Sequence, residues 1–160
     1  MNSASTEKFA ILARSYCEWA EGVPENPKQE ALCALSLLTE LCSCALTLPE
    51  TFEDGEAENI SGEDYALVFK RFGALPFNYY ANCFDPLALP AEEPVVGDLA
   101  DDLADIWRDL RAGLSLFDSG YKVAAARNWR FAFRIHWGRH AAAALYPLHC
   151  WLAEHDGDLQ

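Results

Sequence analysis

The chain has 160 residues, 51% of them hydrophobic and 12% aromatic, with a formal charge of −13 from 25 acidic and 12 basic side chains. That length carries one domain with a hydrophobic core and leaves no room for two of ordinary size. The charge opposes nucleic-acid phosphates and anionic membrane surfaces, so neither is an expected partner, whereas a basic protein or a cation suits it.

The opening MNSASTEKFAILARSYCEW has no basic leader and no apolar segment ending in a cleavage site, which predicts a cytoplasmic protein. A first helix is expected over about Ser5 to Glu21, where Phe9, Leu12, Ala13, Tyr16, Trp19 and Ala20 recur at helical spacing before Gly22. Asn26-Pro27-Lys28-Gln29 reads as an N-cap followed by proline at the first helical position. The second helix should run to about Leu46. Its stretch ALCALSLLTELCSCALTL is broken by Glu40 and by serines and threonines, so it reads as a central core helix and not a membrane span.

Residues 49–62 form an acidic segment expected to be a solvated, mobile loop, and the carboxylates continue to Asp64. Ser61 with Asp64 opens a third helix, whose Tyr65, Val68, Phe69 and Phe72 mark the buried face until Pro76 interrupts it. FNYYANCFDP reads as a short helical turn leading to an extended segment, and the proline-rich 85–96 segment as a connector. No strand alternation is apparent. A fourth helix is expected from Gly97 to about Asp118, with Leu99, Leu103, Ile106, Leu110 and Leu114 on one stripe. Asp98, Asp102, Asp105 and Asp109 form a second stripe beside it. Gly120 ends that helix. A last long helix spans about Tyr121 to His155, with a kink or an end about a turn before Pro147.

On a straight wheel, Trp129, Phe133, His136, His140, Ala144 and Trp151 fall within about 80° of one another, which puts both histidines of HWGRH on the inward face. Gly138 falls on the opposite side, where a neighbouring backbone could approach. Helices joined across Gly120 should pack antiparallel, bringing Asp102 to Asp109 level with residues 131–138. Two uses of the histidines follow. Each could pair with an aspartate as a satisfied core residue, or His136, His140, Asp102, Asp105 and Asp109 could hold a divalent transition metal. No H-E-x-x-H or E-x-x-H pattern supports the metal.

Six of the eight arginines follow residue 107, and a ladder of Arg–Asp pairs between the last two helices would use the same acidic stripe. A ligand pocket lined by Trp107, Trp129, Trp137 and tyrosines is a further alternative, as is a cleft beside the histidines lined by Tyr79, Tyr80 and Asp85. None of the six cysteines forms a C-x-x-C pair, which fits reduced thiols.

The runs GDLADDLADIWRDLRAGLSLF, NWRFAF, HWGRH and ALYPLH, with FDP at 84–86, make the chain resemble an uncharacterised bacterial family described only as a domain of unknown function. The resemblance implies a small, mostly helical bacterial protein and transfers no activity or catalytic residue. The expected structure is a single all-α bundle of five or six helices over residues 1–160, its core formed by the second helix and the last two. Its expected role is that of a non-enzymatic acidic protein that binds a basic protein partner, with a metal-binding His/Asp bundle as the alternative.

Overall fold

The computed structural model describes residues 3–155, so the expected span of 1–160 reaches past the described residues at both ends. α1 (Ser3–Glu21) and α2 (Pro27–Ala45) are joined by a short turn whose Asn26 side chain accepts from the Gln29 amide. α3 (Gly62–Arg71) starts at Ser61, whose hydroxyl accepts from the Asp64 amide, and runs into a 3₁₀ turn at Phe72–Ala74. Both caps satisfy N–H groups that a first helical turn leaves orphaned.

Two short strands follow, against the expectation of none. β1 (Tyr79–Asn82) pairs antiparallel with β2 (Val95–Asp98), with Tyr80 opposite Gly97. Four of the ten residues of FNYYANCFDP are therefore strand, and α4 (Leu99–Asp118) begins two residues later than Gly97. Strands this short carry no readable alternation, because pairing comes from the partner and not from the pattern.

α4 is the central helix. Leu99, Leu103, Ile106, Leu110 and Leu114 are fully buried, and α1, α3, α5 and α6 pack around it. The expectation that α2 is central fails: it buries one stripe, Ala31, Ala34, Leu38, Leu41 and Ala45, and leaves Leu32 partly in solvent. Apolar composition on several faces is not burial when the helix packs mainly against α1 and α6. The Tyr16 hydroxyl donates to the Leu103 carbonyl at 2.7 Å, tying α1 to α4 inside the core.

α4 ends in a Schellman turn. The Tyr121 amide donates to Leu116 O, the Gly120 amide to Phe117 O, and Gly120 has φ +91°. α5 (Lys122–Ala132) then returns antiparallel and continues through a π turn (Phe133–Trp137) into α6 (Gly138–Glu154). The last rod carries the π turn, and it does not end a turn before Pro147, which lies inside α6.

The acidic segment is laid across α4 and α5, not loose in solvent. The Glu58 amide donates to Ser115 Oγ, the Thr51 hydroxyl to Val123 O, and Gly55 lies against Leu116 and Ala124. The expected Arg–Asp ladder is absent among the described residues. Arg127 and Arg130 reach Asp54 and Glu50 of that segment, Arg111 reaches Glu21 at 2.6 Å, and Arg139 donates to Phe84 O. Of the tryptophans expected around a ligand pocket, Trp129 and Trp137 are fully buried and Trp107 nearly so; they fill the core. Phe69 is also more exposed than its stripe implied.

A buried clasp closes the α1–α3 corner. Glu30 accepts from Arg71 at 2.7 and 3.0 Å, from the Trp19 indole at 2.8 Å and from the Glu25 amide at 2.6 Å. Burial alone would raise the Glu30 carboxyl, but these donors outweigh it and hold it below its ordinary range.

Between α4 and α5 the Trp129 indole lies over Gly113 and donates to Leu110 O at 3.1 Å. A Cβ at 113 would occupy the indole's place. Helix propensity would favour Gly113→Ala by about 1 kcal/mol, while overpacking a rigid ring costs about 1–3 kcal/mol or more and breaks the indole bond. Sterics should win. Gly113→Ala is expected to unfold in urea with a stability lower by about 2 kcal/mol; unchanged or raised stability would contradict this packing.

Candidate functional site

The site begins with the way β1 and β2 hold the start of α4. Asp98 accepts from the Asp101 amide, and Asn78 accepts from the Leu99 amide through its carbonyl and from the Ala100 amide through its side chain. Asp98 is therefore a cap and not a member of an inward acidic stripe. Two residues beyond Asn78, the Tyr80 ring lies flat over Gly97, where any Cβ would overlap it. From there its hydroxyl donates to Asp102 Oδ2.

Asp102 passes the constraint on: its Oδ1 accepts from His140 Nδ1 at 2.7 Å. His136 Nδ1 makes the equivalent bond to Asp109 Oδ2 at 2.6 Å. An ionised carboxylate only accepts, so in both pairs the imidazole carries its proton on Nδ1. Each neutral ring then turns an Nε2 lone pair inward. Both face Asp105 Oδ2, at 3.3 Å from His140 and 3.7 Å from His136.

Asp105 is the pivot. Its Oδ1 accepts from the Tyr65 hydroxyl of α3 at 2.8 Å and from Arg108 at 2.9 Å, and the Arg108 guanidinium lies over the Tyr65 ring. Oδ2 is left to the histidines. The two rings meet edge to face with centroids 4.8 Å apart. One side of the cluster reaches solvent, since 37% of the His136 side chain is exposed.

One donor atom from each of Asp105, His136 and His140 lies within 4.8 Å of the other two. A metal with bonds of about 2.0–2.2 Å sets neighbouring ligand atoms about 3–3.5 Å apart. The 3.3 and 3.7 Å separations are close to that spacing. Asp101, Asp102 and His140 form a second such group. There, however, the Tyr80 hydroxyl and His140 Nδ1 already occupy both Asp102 oxygens.

Burial shapes the surrounding protons. Burial and then the hydrogen bond to Asp105 push the Tyr65 phenol far up, and burial and Asp102 do the same for Tyr80, so both phenols remain donors. Burial also raises the Asp109 carboxyl, with His136 opposing, and raises Asp101, reinforced by Asp105.

All five residues expected at the site, His136, His140, Asp102, Asp105 and Asp109, converge here. Of the expected cleft residues, Tyr80 takes part, Tyr79 points to solvent, and Asp85 caps its own loop by accepting from the Leu87 amide. Tyr65, Asn78 and Tyr80's partner Gly97 were not foreseen at the site, because α3 and β1 are brought to α4 only by tertiary packing; Arg108 was expected in pairs with the last helix and instead pairs three residues back with Asp105 on α4 itself. Gly97 opposite an aromatic was the one available signal.

The chain belongs to the DUF5063 family, described as a domain of unknown function, which matches residues 1–154. No curated protein matches it. The crystal structure of protein BF1032 from Bacteroides fragilis is similar to it, with a TM-score of 0.72 and 20% identity, covering 88% of this chain and 87% of that one. At that identity the likeness is one of fold.

His140 is raised above 6.5, first by its hydrogen bond to Asp102, against burial, with Asp105 and Asp101 adding to the rise. Asp105 and Asp101 face it from α4, and His136 from its own rod. A raised native value stabilises the fold fully below 6.5, and that increment is lost as pH climbs through the native value. In metal-free protein, an NMR titration should place His140 above 6.5. Asp102→Asn should lower it and flatten the pH dependence of stability in that window. A wild-type value at or below 6.5 would contradict the pairing.

Proposed function

We propose that the chain binds a divalent transition metal through Asp105 Oδ2, His136 Nε2 and His140 Nε2. The observation that carries this is the convergence of three electron-pair donors on one point, with no protein hydrogen placed between them when both rings are neutral. Two histidines and a carboxylate on one side of an ion, with the remaining positions open, suit Fe²⁺, Mn²⁺ or Zn²⁺. Asp102 and Asp109 fit the outer layer such a site requires, since each holds an imidazole by its Nδ1–H and fixes the tautomer. Tyr65 and Arg108 orient Asp105 in the same way.

A bound ion would supply Lewis acidity to a water or an anionic oxygen ligand at the solvent-facing side. Net charge supports a basic protein partner as a separate reading, and the six free thiols fit a reducing, cytoplasmic setting. The geometry favours the metal over the partner. No helix among the described residues is long and apolar enough to cross a membrane.

Elemental analysis of untagged protein purified without chelator should find a transition metal near one equivalent, or calorimetric titration with Zn²⁺ or Mn²⁺ should show one saturable site. His136→Ala combined with His140→Ala should abolish that site while circular dichroism stays unchanged. Asp109→Asn should weaken it by about 10–100-fold. No metal on purification and none on titration would leave the histidines as structural partners of the aspartates.

A further inference from the structure

A cavity of about 350 Å³ lies between the end of α2, the acidic segment, the flank of α5 and the start of the π turn. Its apolar wall includes Leu46, Phe52 and Phe133, and its rim carries Arg127, Arg130 and Arg134. In a chain of net charge −13 with 12 basic residues, three guanidinium groups around one opening are a local reversal of sign. The apolar wall is only partly used, since Leu46 is 77% and Phe52 82% exposed.

We infer that this cavity binds a small amphipathic carboxylate, an acyl or aryl acid whose apolar body lies against Leu46, Phe52 and Phe133 while its carboxylate meets Arg130 and Arg134. The molecule already shows what the rim accepts. Arg127 contacts the Asp54 carboxylate, and Arg130 approaches Glu50 at 3.9 Å, a loose pair in which Glu50 is 72% exposed. Arg134 has no carboxylate partner among the described residues. A ligand carboxylate would displace Glu50 at little cost, because exposed pairs of this kind contribute at most about 1 kcal/mol. It would gain planar, two-pronged recognition from arginine. The volume lies at the small end of ligand pockets and suits a medium-length chain or single ring.

Decanoate, decanol and a Glu- and Phe-rich acidic peptide, each titrated calorimetrically into the full chain, test the assignment. Decanoate should bind saturably at one site and more tightly than decanol. Arg130→Ala combined with Arg134→Ala should weaken decanoate by about tenfold and leave decanol unchanged. Glu50→Gln, which removes the internal competitor, should strengthen decanoate binding, and this holds the test open should the arginine variant fold poorly. Equal affinity for decanoate and decanol, no response to Glu50→Gln, or binding of the peptide without decanoate would each overturn the proposal. Zinc or manganese titration of the same variants should be unaffected, so this outcome is independent of the metal centre.

Discussion

The arrangement of the site depends on one extra residue in a helix. In the π turn at Phe133–Trp137 the Gly138 amide reaches back five residues to Phe133 O. Each residue of an α-helix turns the wheel by about 100°, so one added residue rotates everything beyond it by that amount relative to α5. Before the turn the buried face is Ala125, Ala126 and Trp129; after it, Trp137, Ala141, Ala144 and Leu148. Trp137 thereby comes back beneath Trp129 and donates its indole N–H to the Trp129 carbonyl at 3.1 Å, with Phe9 packed against both rings. The same rotation lifts His136 and His140 off the core stripe to its edge, level with the α4 carboxylates. Gly138 permits the turn, since a Cβ there would collide with the Phe133 carbonyl and ring. The space beside Gly138 is filled by its own helix and not by a neighbouring one.

The carboxylates of α4 set the opposing half. Asp101 and Asp102 lie in the first helical turn, where the helix dipole and free N–H groups favour negative charge. Asp105 and Asp109 lie beyond that help. They are buried or half-buried among like charges, and burial pushes Asp109 up. Such a group is stable only beside donors. Asp109 has one in His136, while Asp105 has Tyr65 and Arg108 for one oxygen only. The second oxygen of Asp105 is where the structure departs from the arrangement that would stabilise it most, and departures of that kind gather at functional sites.

The helical elements were legible because their signals are local. Asn26-Pro27, Ser61 with Asp64, the Leu99–Leu114 stripe and the Gly120 break each act within one or two turns. The antiparallel return across Gly120 also placed the five metal-candidate residues together, with Asp109 facing His136 and Asp102 facing His140. What was illegible acts at a distance. Tyr65 and Tyr80 reach α4 across the tertiary fold, and β1 exists only because β2 pairs with it. The π turn has no residue signature beyond a glycine, so a straight wheel put the histidines too deep. The Arg–Asp ladder failed for the same reason. The arginines of α5 lie on a flank that faces the acidic segment, and the aspartates of α4 face the histidines.

That division of partners has a chemical consequence. A guanidinium placed beside Asp105 Oδ2 would neutralise it permanently, because arginine does not lose its proton in proteins. It would fill the space with fixed donors and close it to any other cation. Imidazole satisfies the neighbouring Asp102 and Asp109 through Nδ1 and still presents a lone pair at Nε2. The site is thus held together by the protonated edge of each ring and left chemically available at the other. With Arg127 and Arg130 held away at the acidic segment and Arg108 confined to the far oxygen of Asp105, the point where the three donors meet has no permanent cation among the described residues.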